Sequence, residues 1–271
     1  MRAFFEAIIA YPFMLRALIV GALVSGCCSV LGVPLVLKRY SMIGDGLSHV
    51  AFGAIALATA LGFAPMAFTI PVVILTAFLL LRLSENGKIK GDAAIALIST
   101  GALAVGVMAV SLSKGMNTDV YNYMFGSVLS MSESDVTLSI ILAAAVIVLF
   151  LCFYHKIFAV TFDESFLKAG GMKTGAYNML ISFLTAVTVV LGMRVMGALL
   201  ISALIIFPTM SAMRLFKTFK KVVLSALLIS VVSFLVGFYF SYAYDAPTGA
   251  SIVVINIILF LIFSLIAKFK K

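Results

Sequence analysis

Of the two histidines in the chain, His49 alone falls within an apolar run, in the segment Gly44-Asp45-Gly46-Leu47-Ser48-His49. Asp45 precedes it by four residues, so on a helix both side chains project from one face, one turn apart. A carboxylate oxygen and a neutral imidazole nitrogen are ligands for a divalent transition metal. Two such donors make half a coordination shell, and a second copy of the chain related by a two-fold axis would supply the other half, giving two Asp and two His. Two plainer readings stay open. Asp45, set between glycines where a helix begins, could be an N-cap that accepts backbone N–H bonds. His49 could be a buried imidazole bonded to a carbonyl across a helical bundle. Adjacent Cys27 and Cys28 point about 100° apart on a helix and cannot easily chelate one ion together. With Cys152 they read as small buried hydrophobes rather than a disulfide framework.

The elements that must position this pair are set by composition. The 271 residues are 64% hydrophobic and 11% charged, with a mean hydropathy of +1.24. A soluble domain carries about 25% charged residues, and a chain of this length could not hide so much apolar surface from water, so a water-soluble enzyme is excluded. The charges cluster and leave apolar runs of roughly 18 to 25 residues, the length of helix that crosses a bilayer. The expected fold is therefore all-α, one polytopic transmembrane bundle over 1–271 with about eight to nine spans. The candidates are 13–37, 43–62, 64–81, 93–113, 136–154, 178–192, 195–213, 222–242 and 250–266. Ordinary packing accounts for the Gly and Ser in the spans and for the scattered Met residues.

The net charge of +9 comes from 19 Lys and Arg against 10 Asp and Glu. In a membrane protein such an excess marks cytoplasmic loops rather than nucleic-acid binding. If the first span runs from outside to inside, only Arg2, Arg16, Lys114 and Arg194 stay on the outer side. The N-terminus is thus expected out and the C-terminus in. No removable signal peptide is expected, because Glu6, Pro12 and Arg16 interrupt the first apolar stretch. Arg194, near the outer end of a span, reads as snorkelling or paired with a neighbour, and Asp245, in the outer turn Tyr244-Asp245-Ala246-Pro247-Thr248-Gly249, as a turn residue; both are also candidates for an outer gate or a contact with another protein. His155, beside Lys156 at a cytoplasmic helix end, reads as interfacial.

No G-x-x-x-x-G-K-[ST] phosphate loop occurs, so the chain is not expected to hydrolyse ATP in that manner itself. One cytoplasmic segment, 161–171, differs from the rest. It reads as a short amphipathic helix with Thr161 as cap, Asp163 and Glu164 in the first turn, and Phe162, Phe166 and Leu167 on one face. Gly170 and Gly171 then stop it. An exposed apolar face on a loop helix suits docking to a soluble partner, or else the lipid interface.

The segments 41–50, Phe162-Asp163-Glu164, and Gly197-Ala198-Leu199-Leu200-Ile201-Ser202-Ala203-Leu204 leading to Pro208 resemble the membrane permeases of bacterial ABC importers for zinc and manganese. The likeness runs over nearly the whole chain. It implies a homodimeric permease in the inner (plasma) membrane, working with two cytoplasmic ATP-binding subunits and an extracellular or periplasmic metal-binding protein. It also implies transported Zn2+ or Mn2+ rather than a permanently bound cofactor, with Asp45 and His49 as the transient metal site and 162–171 as the segment coupled to the ATPase. Segments 210–215 and 245–247 look more like zinc than manganese permeases, so zinc ranks ahead of manganese. The rival from a different class is a secondary carrier driven by an ion gradient, with Asp45 as its proton site, but no internal repeat supports it. An intramembrane metalloenzyme would need more ligands within one chain than a single span histidine provides.

Overall fold

The computed structural model describes residues 6, 8, 10–85, 91–113 and 133–269. Every regular element among these residues is helical. Three long helices come first: α1 (Pro12–Leu37), α2 (Ile43–Ala60) and α3 (Pro65–Glu85). They are followed by α4 (Gly91–Leu112), α5 (Glu133–Cys152), α6 (Tyr154–Phe162) and the short α7 (Glu164–Ala169). The chain ends in α8 (Thr174–Met196), α9 (Ala198–Leu215), α10 (Phe219–Tyr244) and α11 (Thr248–Phe269). Seven of these are long and apolar enough to cross a membrane: α1, α2, α3, α4, α8, α10 and α11. The bent pair α5–α6 would make an eighth, and α9 is a shorter apolar helix.

Burial sorts the helices into pillars and staves. α1, α2 and α8 are largely enclosed, whereas α3, α4 and above all α11 turn most of their surface outward. That outward surface is apolar, as Leu75, Leu97, Leu151, Leu228 and Leu261 illustrate, which suits hydrocarbon on one side and protein on the other. With no hydrophobic force between helices in lipid, close packing at small residues and interhelical hydrogen bonds must hold the pillars together. Both are present. A Cβ at Gly53 of α2 would lie 2.3 Å from the Ala102 carbonyl oxygen of α4, so those backbones meet directly. Ser230 of α10 donates to the Ser25 carbonyl of α1 at 2.8 Å. At one exposed end, Arg16 of α1 pairs with Glu133 of α5.

Three details differ from the sequence reading. The run 136–154 does not end as one span in a loop. It breaks at Phe153, and α6 continues at 67° to it, with exposed His155 near the start of α6. The break between the spans 178–192 and 195–213 lies at Gly197, not before it. There φ is 83° and ψ 158°, a conformation essentially reserved for glycine. Finally, Thr161 does not cap the coupling helix. It sits in α6, where its hydroxyl bonds back to the Ile157 carbonyl at 2.6 Å.

Candidate metal site and coupling segment

α2 begins at Ile43 with Met42 as its N-cap, and no side chain caps it. Asp45 is therefore the third helical residue and not the cap, because the chain turns into the helix earlier than the glycines suggested. Those glycines have another use. A Cβ on Gly44 would lie 2.5 Å from Ile205 Cδ1 of α9, and one on Gly46 would lie 2.6 Å from Ile95 Cγ2 of α4. Missing side chains on both flanks let α9 and α4 close on α2 while Asp45 stays partly accessible between them.

His49 Nε2 lies 3.6 Å from Asp45 Oδ2, and the two side chains retain 33% and 40% of their exposure. Donors that each bind a small divalent ion at about 2.0–2.2 Å can stand up to ~4 Å apart, so the pair can share one ion. The other carboxylate oxygen, Oδ1, accepts a hydrogen bond from Ser202 Oγ of α9 at 3.2 Å. Ser202 is a site residue that the sequence reading quoted without giving it a role. Its only signal was a hydroxyl five residues past a glycine break in an apolar stretch. Among the described residues no three His, Cys, Asp or Glu side chains come together, so one copy offers two strong donors with a hydroxyl behind them.

The coupling segment is built differently from its sequence pattern. Phe162 closes α6, and Asp163 caps α7 by accepting the Phe166 N–H at 2.8 Å. The stop is as expected. Gly171 takes φ 81°, its N–H bonds the Lys168 carbonyl, and the Met172 N–H reaches back to Leu167, a complete Schellman closure with Gly170 as C-cap. Phe162 and Phe166 are exposed, at 59% and 73%, and Leu167 is half-buried. Glu164 does not join that outward face. Its carboxylate accepts from Lys38 Nζ of α1 and from Asn178 Nδ2 of α8, each at 3.1 Å, and from Lys168 Nζ at 2.8 Å. Lys38 also bonds the Asn178 side-chain oxygen. Burial by itself would raise the Glu164 carboxyl. The hydrogen bonds from Lys168, Asn178 and Lys38, with the charge of Lys38, outweigh it and bring the pKa down from 4.5 to about 2.

Of the two outer candidates, Asp245 is the left-handed C-cap of α10 with φ 52°. It is exposed and far along the chain from the other site elements. The Arg194 side chain lies outside the described residues.

A membrane-embedded helical bundle that holds a partly exposed carboxylate–imidazole pair within one span defines a class, the polytopic transport subunit. Within that class the chain belongs to the ABC 3 transport family, whose model matches residues 10–267, and so to the membrane permeases of ABC transporters. It is 34% identical to a probable iron transport system membrane protein of Haemophilus influenzae, covering 93% of this chain and 89% of that one. It is 28% identical to a manganese transport system membrane protein of Halalkalibacterium halodurans, covering 95% and 88%. A high-affinity zinc uptake system membrane protein of Haemophilus influenzae matches at 27%, covering 93% and 97%. Among solved structures, PsaBC from Streptococcus pneumoniae in complex with Fab superposes with a TM-score of 0.87, at 27% identity and over all of both chains.

Proposed function

We propose that this chain is the permease of an ATP-driven importer that carries a divalent transition-metal ion across the bacterial inner (plasma) membrane. Two copies enclose the path, each contributing Asp45 and His49. The observation that carries the reading is the pair itself: a carboxylate and an imidazole 3.6 Å apart, accessible, and not consumed by helix capping. Ser202 of α9 supports it too, since its hydroxyl bonds Asp45 Oδ1 at 3.2 Å and leaves the second carboxylate oxygen toward His49.

Energy comes from two cytoplasmic ATP-binding subunits that dock against Phe162, Phe166 and Leu167, and a metal-binding protein outside delivers the ion. The N-terminus is outside and the C-terminus inside. In this topology Asp245 and the end of α8 that carries Arg194 lie on the delivery side. Two imidazoles and two carboxylates suit tetrahedral zinc, and zinc is the first assignment. Manganese, which prefers more oxygen donors, is the second, favoured by the Ser202 hydroxyl beside Asp45. The affinity must be modest for the ion to leave again.

The test is uptake of radiolabelled zinc and manganese into proteoliposomes that hold the permease with its ATP-binding subunit. Asp45→Ala and His49→Ala should each abolish uptake while the complex still assembles. Normal transport by both variants would remove the site.

A further inference from the structure

We infer that Glu164 is a positioning residue that ties the coupling segment to the two helices that lead into the metal site, α1 through Lys38 and α8 through Asn178. This rests on the reading of α7 as the place where the ATPase pushes, and goes beyond it by naming how the push reaches Asp45 and Ser202. It also gives a partner set to Glu164, which the sequence pattern placed only in the first turn of the coupling segment.

The two connections are short and stiff. Lys38 is the C-cap of α1, and only Arg39 to Met42 separate it from the helix that bears Asp45. That connector has little slack. Arg39 takes a left-handed φ of 63°. The Tyr40 N–H returns to the Leu35 carbonyl at 2.8 Å, the Ile43 N–H to Tyr40 at 3.0 Å, and the Gly46 N–H to Met42 at 3.0 Å. Moving the Lys38 ammonium therefore moves the start of α2. On the other side, Asn178 is buried in the first turns of α8. That helix is a rod of about 35 Å at 1.5 Å per residue, and it ends at the Gly197 break from which α9 and Ser202 hang. One carboxylate thus holds the end of α1 just before α2 and the start of α8, whose far end leads into α9.

Burial makes the grip specific. The Lys38 side chain keeps 9% of its exposure and Glu164 26%, so removing either partner leaves the other poorly solvated. Beside them lies a small, partly open cleft with a cavity volume of about 20 Å³, room for a single water, lined by Lys38, Tyr40, Ile43 and Asn178 and facing Leu80 of α3 and Ile95 of α4.

The experiment measures ions transported per ATP hydrolysed by the complete complex in proteoliposomes. For E164Q the ATP-binding subunit should stay bound and hydrolyse ATP, while ions per ATP fall by about fivefold or more, the lower end of typical coupling factors. K38M should lower the ratio in the same direction, and E164Q with K38M should be no worse than E164Q alone, since the Lys38 link is part of what E164Q weakens. If the E164Q permease does not fold, K38M is read in the same way. An unchanged ratio overturns the inference, as do losses that multiply in the double variant or loss of the ATPase from the complex. F166A separates this from the underlying reading: an ATPase that still binds F166A normally refutes docking at α7, whatever E164Q does.

Discussion

A serine hydroxyl and a carboxylate are unequal partners in the site. Asp45 brings the charge, and Ser202 occupies one of its oxygens at 3.2 Å, which fixes the plane in which the other oxygen faces His49. A hydrogen bond to a charged group contributes about 1.5–3 kcal/mol where it is buried, and less at a site this open. Ser202→Ala is therefore expected to leave the fold intact and raise the metal KM by about three- to tenfold, roughly 1 kcal/mol, with little change in maximal rate. An unchanged KM in a metal-dependent ATPase assay would make Ser202 a packing residue only. Glu164 permits a pH prediction. Its carboxyl is depressed from 4.5 to about 2, so the stability it confers is complete above the unfolded-state value and is lost as pH falls from there toward the folded one. In detergent, the melting temperature of the wild-type complex should exceed that of E164Q by a constant margin from about pH 5.5 upward, and the margin should shrink below about pH 4.5. A margin that instead varied between about pH 6 and 8 would implicate another group.

Helix ends decide how these side chains are presented. α8 and α9 are one apolar stretch cut by Gly197, whose φ of 83° and ψ of 158° no residue with a Cβ adopts cheaply. Gly197→Ala should cost about 1–3 kcal/mol, seen as a lower melting temperature of the purified complex and as a loss of uptake larger than the loss of folded protein. Asp163→Ala removes the cap of a six-residue helix, worth about 1 kcal/mol. It should weaken co-purification of the ATP-binding subunit without changing metal binding by the permease. At this scale the sequence was legible wherever a single local rule governs. Apolar run length gave the crossings, the i, i+4 spacing gave the Asp45–His49 pair, and the glycine pair gave the end of α7. Where a non-local partner decides, it was silent. Glu164 turned inward because Lys38 and Asn178 lie 126 and 14 residues away in the chain and reach it only after folding. Ser202 came to Asp45 across 157 residues. The α5–α6 bend at Phe153 has no Pro or Gly to announce it.

Over the whole molecule, the distribution of burial poses a problem that a second copy would solve. α2 is among the most enclosed helices, yet the two polar side chains in its first turns keep a third or more of their exposure. A carboxylate facing lipid would cost about 2.5–3.5 kcal/mol on insertion scales and more by other measures. That face must therefore be covered by protein or line a water-filled route. α11 is the contrast, with Leu261 56% exposed on a helix wholly fit for hydrocarbon. If two copies meet across the Asp45–His49 face and share an ion, ligand atoms from opposite copies lie within about 4.4 Å of each other. A cysteine at position 49 in one copy is then within easy reach of its counterpart. With exposed Cys152 changed to Ser and buried Cys27 and Cys28 left in place, H49C treated in membranes with a short bifunctional thiol reagent should give a dimer band, and L261C should not. Added zinc should slow formation of the H49C band, because a thiolate is itself a zinc ligand and the Asp45 carboxylate stands beside it, and a chelator should restore the band. A dimer band from L261C with none from H49C would put the pair on the outside of the assembly, and the path for the ion would have to lie elsewhere.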